Sequence, residues 1–383
     1  MLLRNTFTRD ARVVREARSL ARAGHEVTVL ALRAGELPKR EERDGFVVLR
    51  AAEAGRFAGP TISGTVNAHS RLRLPRTPLF VWTRDKLLDA RMTRAAIALP
   101  ADAYHAHDLN TLEPAAMAAR EHGARLVYDA HELYADMTGL GRGERARWRR
   151  LESRLIRRAD LVIAPSPSRA EEMVARYGIE EPRVVMNCPP MLQSLDPSAS
   201  PLAGLRREGE TLLVYAGGFT PNRGLQSVVR AVELLDGCRL VMLGWGPLES
   251  ELRALASDRV TFAGHVDPDE VVPTVAGADI GLAPYLPIGR NNQLAAPNKV
   301  FEYLHAGLAV AASDLPDIRR IVDDHDVGTV FDASDPASVV DAVSGLIPRL
   351  DLLKRNARAT GALYSWEMQE TQLLGAYEAL ETR

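Results

Sequence analysis

Lys299 and Glu302 lie three residues apart in the segment Pro297-Asn298-Lys299-Val300-Phe301-Glu302-Tyr303-Leu304-His305-Ala306-Gly307. The pattern predicts a short helix. Pro297 and Asn298 open it, Val300, Phe301 and Leu304 form its apolar stripe, and Gly307 ends it. Leu308 to Ala312 is then an apolar run of strand length. A lysine in the first turn of a helix stands where free N–H groups and the positive dipole end favour an anion. Lys299 would neutralise a phosphate there, and Glu302 would accept hydrogen bonds from sugar hydroxyls. The pair suits an anionic diphosphate joined to a polyol. The plain alternative is a surface ion pair at (i, i+3) spacing, worth about 0.2–0.5 kcal/mol.

Other segments offer related chemistry. Ala216-Gly217-Gly218-Phe219-Thr220-Pro221-Asn222-Arg223-Gly224 follows an apolar run and opens a helix. Its glycines would let backbone approach a ligand, although the Gly-Lys-Ser/Thr ending of a triphosphate loop is missing. Gly244-Trp245-Gly246-Pro247 and Gly264-His265-Val266 end two further strand-like runs; the first reads equally as a tight loop with a locally packed Trp245. Tyr104-His105-Ala106-His107-Asp108 and Tyr128-Asp129-Ala130-His131-Glu132 gather histidines and carboxylates. No metal is expected at them, because closely spaced ligands on strands point alternately to opposite faces. Each histidine otherwise reads as hydrogen-bonded under a loop.

Pro-Asn-Lys-x-Phe-Glu-Tyr-x-x-Ala-Gly-x-x-Val followed by Ser313-Asp314-x-Pro316 resembles the donor-site signature of family-4 retaining glycosyltransferases with the GT-B fold. The likeness runs from about Arg9 to Leu380. It implies that Glu302 binds the nucleotide ribose, with Asn298 beside it. It makes residues 216–224 the phosphate loop, with Gly217 and Gly218 approaching the donor and Arg223 in place of the usual second cation. The first cation is replaced by Gly218, and Lys299 would supply the missing charge. Gly244 would lie in the turn beside the nucleotide, and His265 and Val266 would contact the base. His131 would lie near the donor sugar and its anomeric carbon. His107 would stand at the rim of the acceptor pocket, and the loop from Asn5 to Arg12 would approach the phosphates and the acceptor. Of the two glutamates eight apart that the family often carries, the first falls at Leu294 and is absent. Asn291-Asn292-Gln293 occupies its loop, so Asn292, Gln293 and the backbone at Leu294 would meet the sugar instead.

Strand-like runs alternating with helical periodicity place these residues on a parallel α/β frame. Val13, Val14, Ala17, Leu20 and Ala21 share a helix face, and Gly24 follows that helix. Strands are expected at Val27–Leu30, Val47–Leu49, Leu126–Tyr128, Leu161–Ala164 and Val184–Met186. A stretch rich in Pro, Ser and Ala, Pro189 to Gly204, reads as a linker. The pattern restarts at Thr211–Tyr215, with a helix carrying Leu225, Val228, Val229, Val232 and Leu235 and with strands at Leu240–Leu243, Val260–Phe262, Ile280–Ala283 and Leu308–Ala312. The expected fold class is α/β: two doubly wound, Rossmann-like parallel-sheet domains, facing across a cleft as the resemblance implies. The boundaries are 1–195 for an acceptor-side domain, joined by a crossover helix at 364–383, and 205–362 for the nucleotide-sugar domain. Only Met1-Leu2-Leu3 is left for a first strand, so that strand is very short or the chain start lies downstream of the true one.

At 383 residues, 46% of them hydrophobic and 5% aromatic, the chain suits two soluble domains. No apolar run is long enough to span a bilayer, and no secretory core opens the chain. The two cysteines, Cys188 and Cys238, read as reduced thiols of a cytoplasmic protein. Residues 1–200 carry 32 Lys and Arg against 25 Asp and Glu; the remainder carries 16 against 25. The basic excess clusters at Arg71–Arg94 and Arg142–Arg158. It suggests an anionic partner or merely solvated helix faces. Trp148, Leu151, Leu155 and Ile156 form one side of a basic helix expected to pack on the sheet. Its alternative is peripheral contact with an anionic inner membrane face.

The expected reaction is sugar transfer from a nucleoside-diphosphate sugar to an unknown acceptor (a saccharide, a small molecule or a lipid-linked glycan), with retention. No cofactor, metal or nucleic acid is expected. Catalysis would rest on Arg223, Lys299 and His131, with the leaving phosphate taking the acceptor proton as relatives are thought to allow. The alternatives are a non-catalytic nucleotide-binding subunit and a nucleotide-sugar 2-epimerase. The acceptor pocket would be built from Arg56–Arg94, where the sequence places no chemistry.

Overall fold

The computed structural model describes residues 1–8, 10–53 and 78–382. Most of the stretch Arg56–Arg94, with Arg71, Arg73 and Arg76 of the basic cluster, lies outside the described residues. The chain divides into two compact units. The first comprises Met1–Pro165, Ala170–Val185 and Glu370–Arg383; the second comprises Ser166–Arg169 and Met186–Gln369.

In the first unit, strands β1 (Thr28–Arg33), β2 (Arg40–Arg43) and β3 (Phe46–Glu53) form a sheet in the order β1-β3-β2. Strands β4 (Ala103–His107), β5 (Arg125–Asp129), β6 (Leu161–Ala164) and β7 (Arg183–Val184) form another in numerical order. Leu2 bridges in parallel to both Leu30 and Ala106, so the segment Met1–Leu3 stands where a first strand would and joins the two sheets. Loops on either side of that point therefore diverge, which is where open α/β sheets bind ligands. Pairing is parallel throughout except for β2, which runs antiparallel to β3. The Asp44-Gly45 turn between them has φ +51° and +88°, the left-handed pair that a tight hairpin needs.

The second unit has one six-stranded sheet. Its strands are β8 (Thr211–Ala216), β9 (Cys238–Leu243), β10 (Val260–Gly264), β11 (Ile280–Ala283), β12 (Ala309–Ser313) and β13 (Gly328–Phe331), in the order β10-β9-β8-β11-β12-β13. Every pair is parallel. Helices cover both faces, so β8, β9, β11 and β12 read as largely apolar runs, broken in β9 by Arg239, whose apolar side chains enter two separate cores. The chain order reverses between β8 and β11, and the crevice at their carboxyl ends is the expected ligand position. Gly281 in β11 is fixed by packing: a Cβ there would lie 2.3 Å from the Tyr303 ring.

The stretch from Pro189 to Gly204 is partly built into the second unit. Leu202 is buried in its core, and Ser200 Oγ donates to the Thr274 carbonyl at 2.5 Å.

Candidate functional site

Of the residues expected on the donor side, Lys299, Arg223 and the glycine turns meet at the reversal point of the second sheet. Helix Asn298–Ala306 buries Val300, Phe301, Tyr303 and Leu304 and ends at Gly307, whose φ is +71°. That packing fixes Lys299 on the buried side, only 8% exposed, while Glu302 is half-buried and Asn298 is exposed. Lys299 Nζ lies 5.1 Å from the centre of the Tyr215 ring and 5.8 Å from that of Tyr285. The Arg223 guanidinium lies on the same Tyr285 ring, 3.7 Å from its centre. A Cβ at Gly217 would approach Lys299 Nζ to 3.2 Å, so a residue without a side chain lets the lysine reach the turn. Lys299 thus stands beside the loop that carries Gly217 and Gly218. Burial, then the nearby Arg223 charge, lowers the Lys299 pKa to about 7, with Glu302 pulling it upward.

Three turns are laced together here by backbone. Gly217 N donates to Leu243 O at 2.9 Å, Phe219 N to Trp245 O at 3.0 Å, and Gly244 N to Gly264 O at 2.6 Å. A Cβ at Gly244, where φ is +138°, would fall 2.0 Å from Gly217 O, so the close approach of the first two turns requires glycine. Trp245 does not pack away locally; it is 40% exposed. His265 is exposed, 3.6 Å from Asp267, and Val266 beside it is half-buried.

The amide segment differs from the sequence expectation. Gly289–Gln293 is a helical turn, not an open loop. Asn292 is buried and its amide donates to Leu286 O at 3.2 Å, while exposed Gln293 reaches Pro287 O at 3.4 Å. Leu294 is buried, and its N–H is taken by Arg290 O. Winding into a turn spends these groups on local hydrogen bonds.

The first unit gathers a second polar cluster at the ends of β4 and β5. Asp129, fully buried, accepts from Arg12 Nη2 at 2.6 Å and lies 2.8 Å from His131 Nε2 and 3.2 Å from His107 Nδ1. Arg12 also donates to Glu16 at 2.8 Å. His105 stacks on His107 at 4.2 Å, and its Nδ1 lies 2.7 Å from Tyr377 Oη on the last helix. The His131 N–H is held by Asp108, a residue with φ +65°. Burial opposes a charged His131, yet Asp129 and Asp108 outweigh it and raise the pKa to about 9. Burial opposes a charged Asp129 too, but Arg12 and His131 hold it well below the carboxylate range.

This geometry changes three expectations. Arg12 was expected in a loop and His107 at a pocket rim; Arg12 lies in helix Ala11–Arg22, and both side chains are buried in the cluster. The alternation argument against a metal also fails, because His105 and His107 are two apart on β4 and share a face. Ligand atoms of Glu16, His105, His107 and Asp129 all lie within 4.8 Å of one another. Among the described residues, these four are the group that could hold an ion. Their two carboxylates already face Arg12 and His131, which a dication would have to displace.

Helix Arg142–Leu155 buries Trp148 and Leu155, and Ile156 follows them into the core, so its apolar stripe packs inward. Among the described residues no helix is long and apolar enough to cross a membrane.

Sequence reasoning missed Tyr285 and Tyr215. A single aromatic after or within an apolar run leaves no periodic signal, although its place at the end of β8 or β11 could have marked it.

The model of Glycosyltransferase Family 4 matches residues 11–189, and that of Glycosyl transferases group 1 matches residues 210–348. A phosphatidyl-myo-inositol mannosyltransferase of Mycobacterium leprae (strain TN) is 31% identical over 48% of this chain and 50% of its own length. The chain thus spans about half the length of that relative. A D-inositol 3-phosphate glycosyltransferase of Nocardia farcinica (strain IFM 10152) is 27% identical, covering 96% of this chain and 83% of that protein. Among solved structures, sucrose-phosphate synthase from Thermosynechococcus elongatus superposes with a TM-score of 0.75 at 19% identity, over 97% of this chain and 92% of that one. The chain belongs to the family-4 type glycosyltransferases and has their GT-B fold.

Proposed function

We propose that this protein moves a sugar from a nucleoside-diphosphate sugar to an acceptor hydroxyl with retention of anomeric configuration. The observation that carries this reading is the convergence of Arg223 and Lys299 beside glycine turns at the reversal point of the second sheet. Two cations against bare backbone suit a diphosphate, and Glu302 one turn further suits the ribose hydroxyls. In the reaction the bond from the anomeric carbon to the phosphate oxygen breaks and the acceptor oxygen bonds to that carbon. The acceptor proton leaves on the diphosphate, so no separate base is needed. Arg223 and Lys299 stabilise the charge that develops on the leaving oxygen; loss of one such group typically costs about 10²–10³ in rate. His131 is assigned to the donor sugar by family resemblance. No metal is assigned to the diphosphate, since the two cations serve that purpose.

The relatives' names include inositol derivatives, which supports a polyol acceptor and makes inositol phosphate and phosphatidylinositol the first acceptors to try. The test is incubation with nucleotide-sugars in the presence of a chelator, with and without acceptor, followed by proton NMR. A product with the donor's own anomeric configuration is expected. An inverted product contradicts the reading; interconversion of donor without acceptor points to a 2-epimerase.

A further inference from the structure

Lys299 is more than nine-tenths buried, yet among the described residues nothing accepts a hydrogen bond from its ammonium. Four elements surround it. Strand β8 contributes Tyr215, the turn after β8 contributes Gly217 and Arg223, the segment after β11 contributes Tyr285, and its own helix contributes Glu302. The charged groups acting on it are Arg223, which repels it, and Glu302, which attracts it. An ammonium on a side chain this deeply set, beside a guanidinium and facing aromatic rings, is costly to keep charged. An arriving diphosphate reverses that balance.

We infer that this site takes its anionic ligand together with a proton, which lands on Lys299, and that Tyr285 is the positioning residue holding both cations for it. The inference rests on the donor-site reading above. A ring face attracts a cation and leaves the edge of a stacked guanidinium free to meet phosphate oxygens. The lysine pKa of about 7 gives the direction of the linkage. Below about pH 7 the free site is already protonated, and affinity is flat. Above it, binding takes up one proton, and affinity falls about tenfold per pH unit until the bound-state pKa is reached. Arg223 stays charged throughout.

The experiment is calorimetric titration of the full chain with GDP-mannose, UDP-glucose and sulfate, all of which keep their charge through the neutral range. At about pH 8 it is run in two buffers of different ionisation enthalpy, and it is repeated at about pH 6. Wild type should bind roughly tenfold more weakly at the higher pH, with a buffer-dependent heat equal to about one proton taken up. Lys299→Met should bind weakly with no buffer dependence. Tyr285→Phe should behave as wild type, while Tyr285→Leu should lose about tenfold in affinity, with thermal melting used to verify that each variant is folded. Nucleotide-sugar binding without proton uptake, or wild-type affinity in Tyr285→Leu, overturns this inference and leaves the donor reading standing. Proton-coupled binding of sulfate alone keeps the inference and removes the nucleotide. No binding by any probe overturns both.

Discussion

Both units place charged side chains at the carboxyl ends of parallel strands, where the chain order reverses, but the two clusters differ in charge balance. In the first unit, Asp129 and Glu16 are met by Arg12 and His131, and each cation has a carboxylate within hydrogen-bonding distance. In the second, the cations Arg223 and Lys299 crowd against one Tyr285 ring and repel each other, while half-buried Glu302 attracts Lys299. A balanced cluster holds itself together and orients what it carries. An unbalanced one is completed by a ligand of the opposite sign.

The difference can be broken from either side. Asp129→Ala should be the most damaging change, because it leaves buried Arg12 and part-buried His131 without their shared anion. About 3–5 kcal/mol of stability should be lost, read from urea unfolding. A tolerated substitution would mean that the first cluster is not held by its charges. Arg223→Ala should do the reverse. Removing one of two repelling cations should leave unfolding nearly unchanged, while nucleotide-sugar affinity falls by about 1.5–3 kcal/mol in titration calorimetry.

Proton linkage sharpens the contrast. The His131 pKa is raised to about 9, so its stabilising contribution is complete below about pH 6.5 and lost as pH rises through 9. The Lys299 pKa is lowered to about 7, so the penalty for charging it eases as pH rises above that value. The stability gap between wild type and His131→Gln should therefore narrow from about pH 6.5 to 9 in urea titrations. A gap that widens would contradict the Asp129–His131 pairing. The smallest effect is expected at Arg154, whose exposed side chain reaches Glu113 at 3.0 Å. Arg154→Ala should change unfolding by less than about 1 kcal/mol.

The frame of the second unit was legible because its central strands are covered on both faces and read as apolar runs. The charged sequence Arg40-Glu41-Glu42-Arg43 hid the edge strand β2, which needs no apolar face; only Asp44-Gly45 advertised its hairpin. At the site, Lys299, Arg223 and the glycine turns could be read because a helix start and a turn have local sequence signatures. Arg12, His107 and Asn292 could not be placed, since a polar residue's type does not say whether a partner waits inside the fold. Arg12 finds Asp129, 117 positions away. The histidines of β4 were legible in principle, as residues two apart on a strand share a face.

The most direct test of the central claim, a nucleotide-sugar site at the reversal point of the second sheet, is a thermal-shift titration with UDP, GDP, ADP and dTDP, without metal. It would be run on wild type, Glu302→Ala and Arg223→Ala. Selective stabilisation of wild type by one nucleotide, lost in both variants, is the predicted result. If no nucleotide shifts wild type at millimolar concentration, or if the shift survives in both variants, the site does not do what its cations and turns are assigned to do.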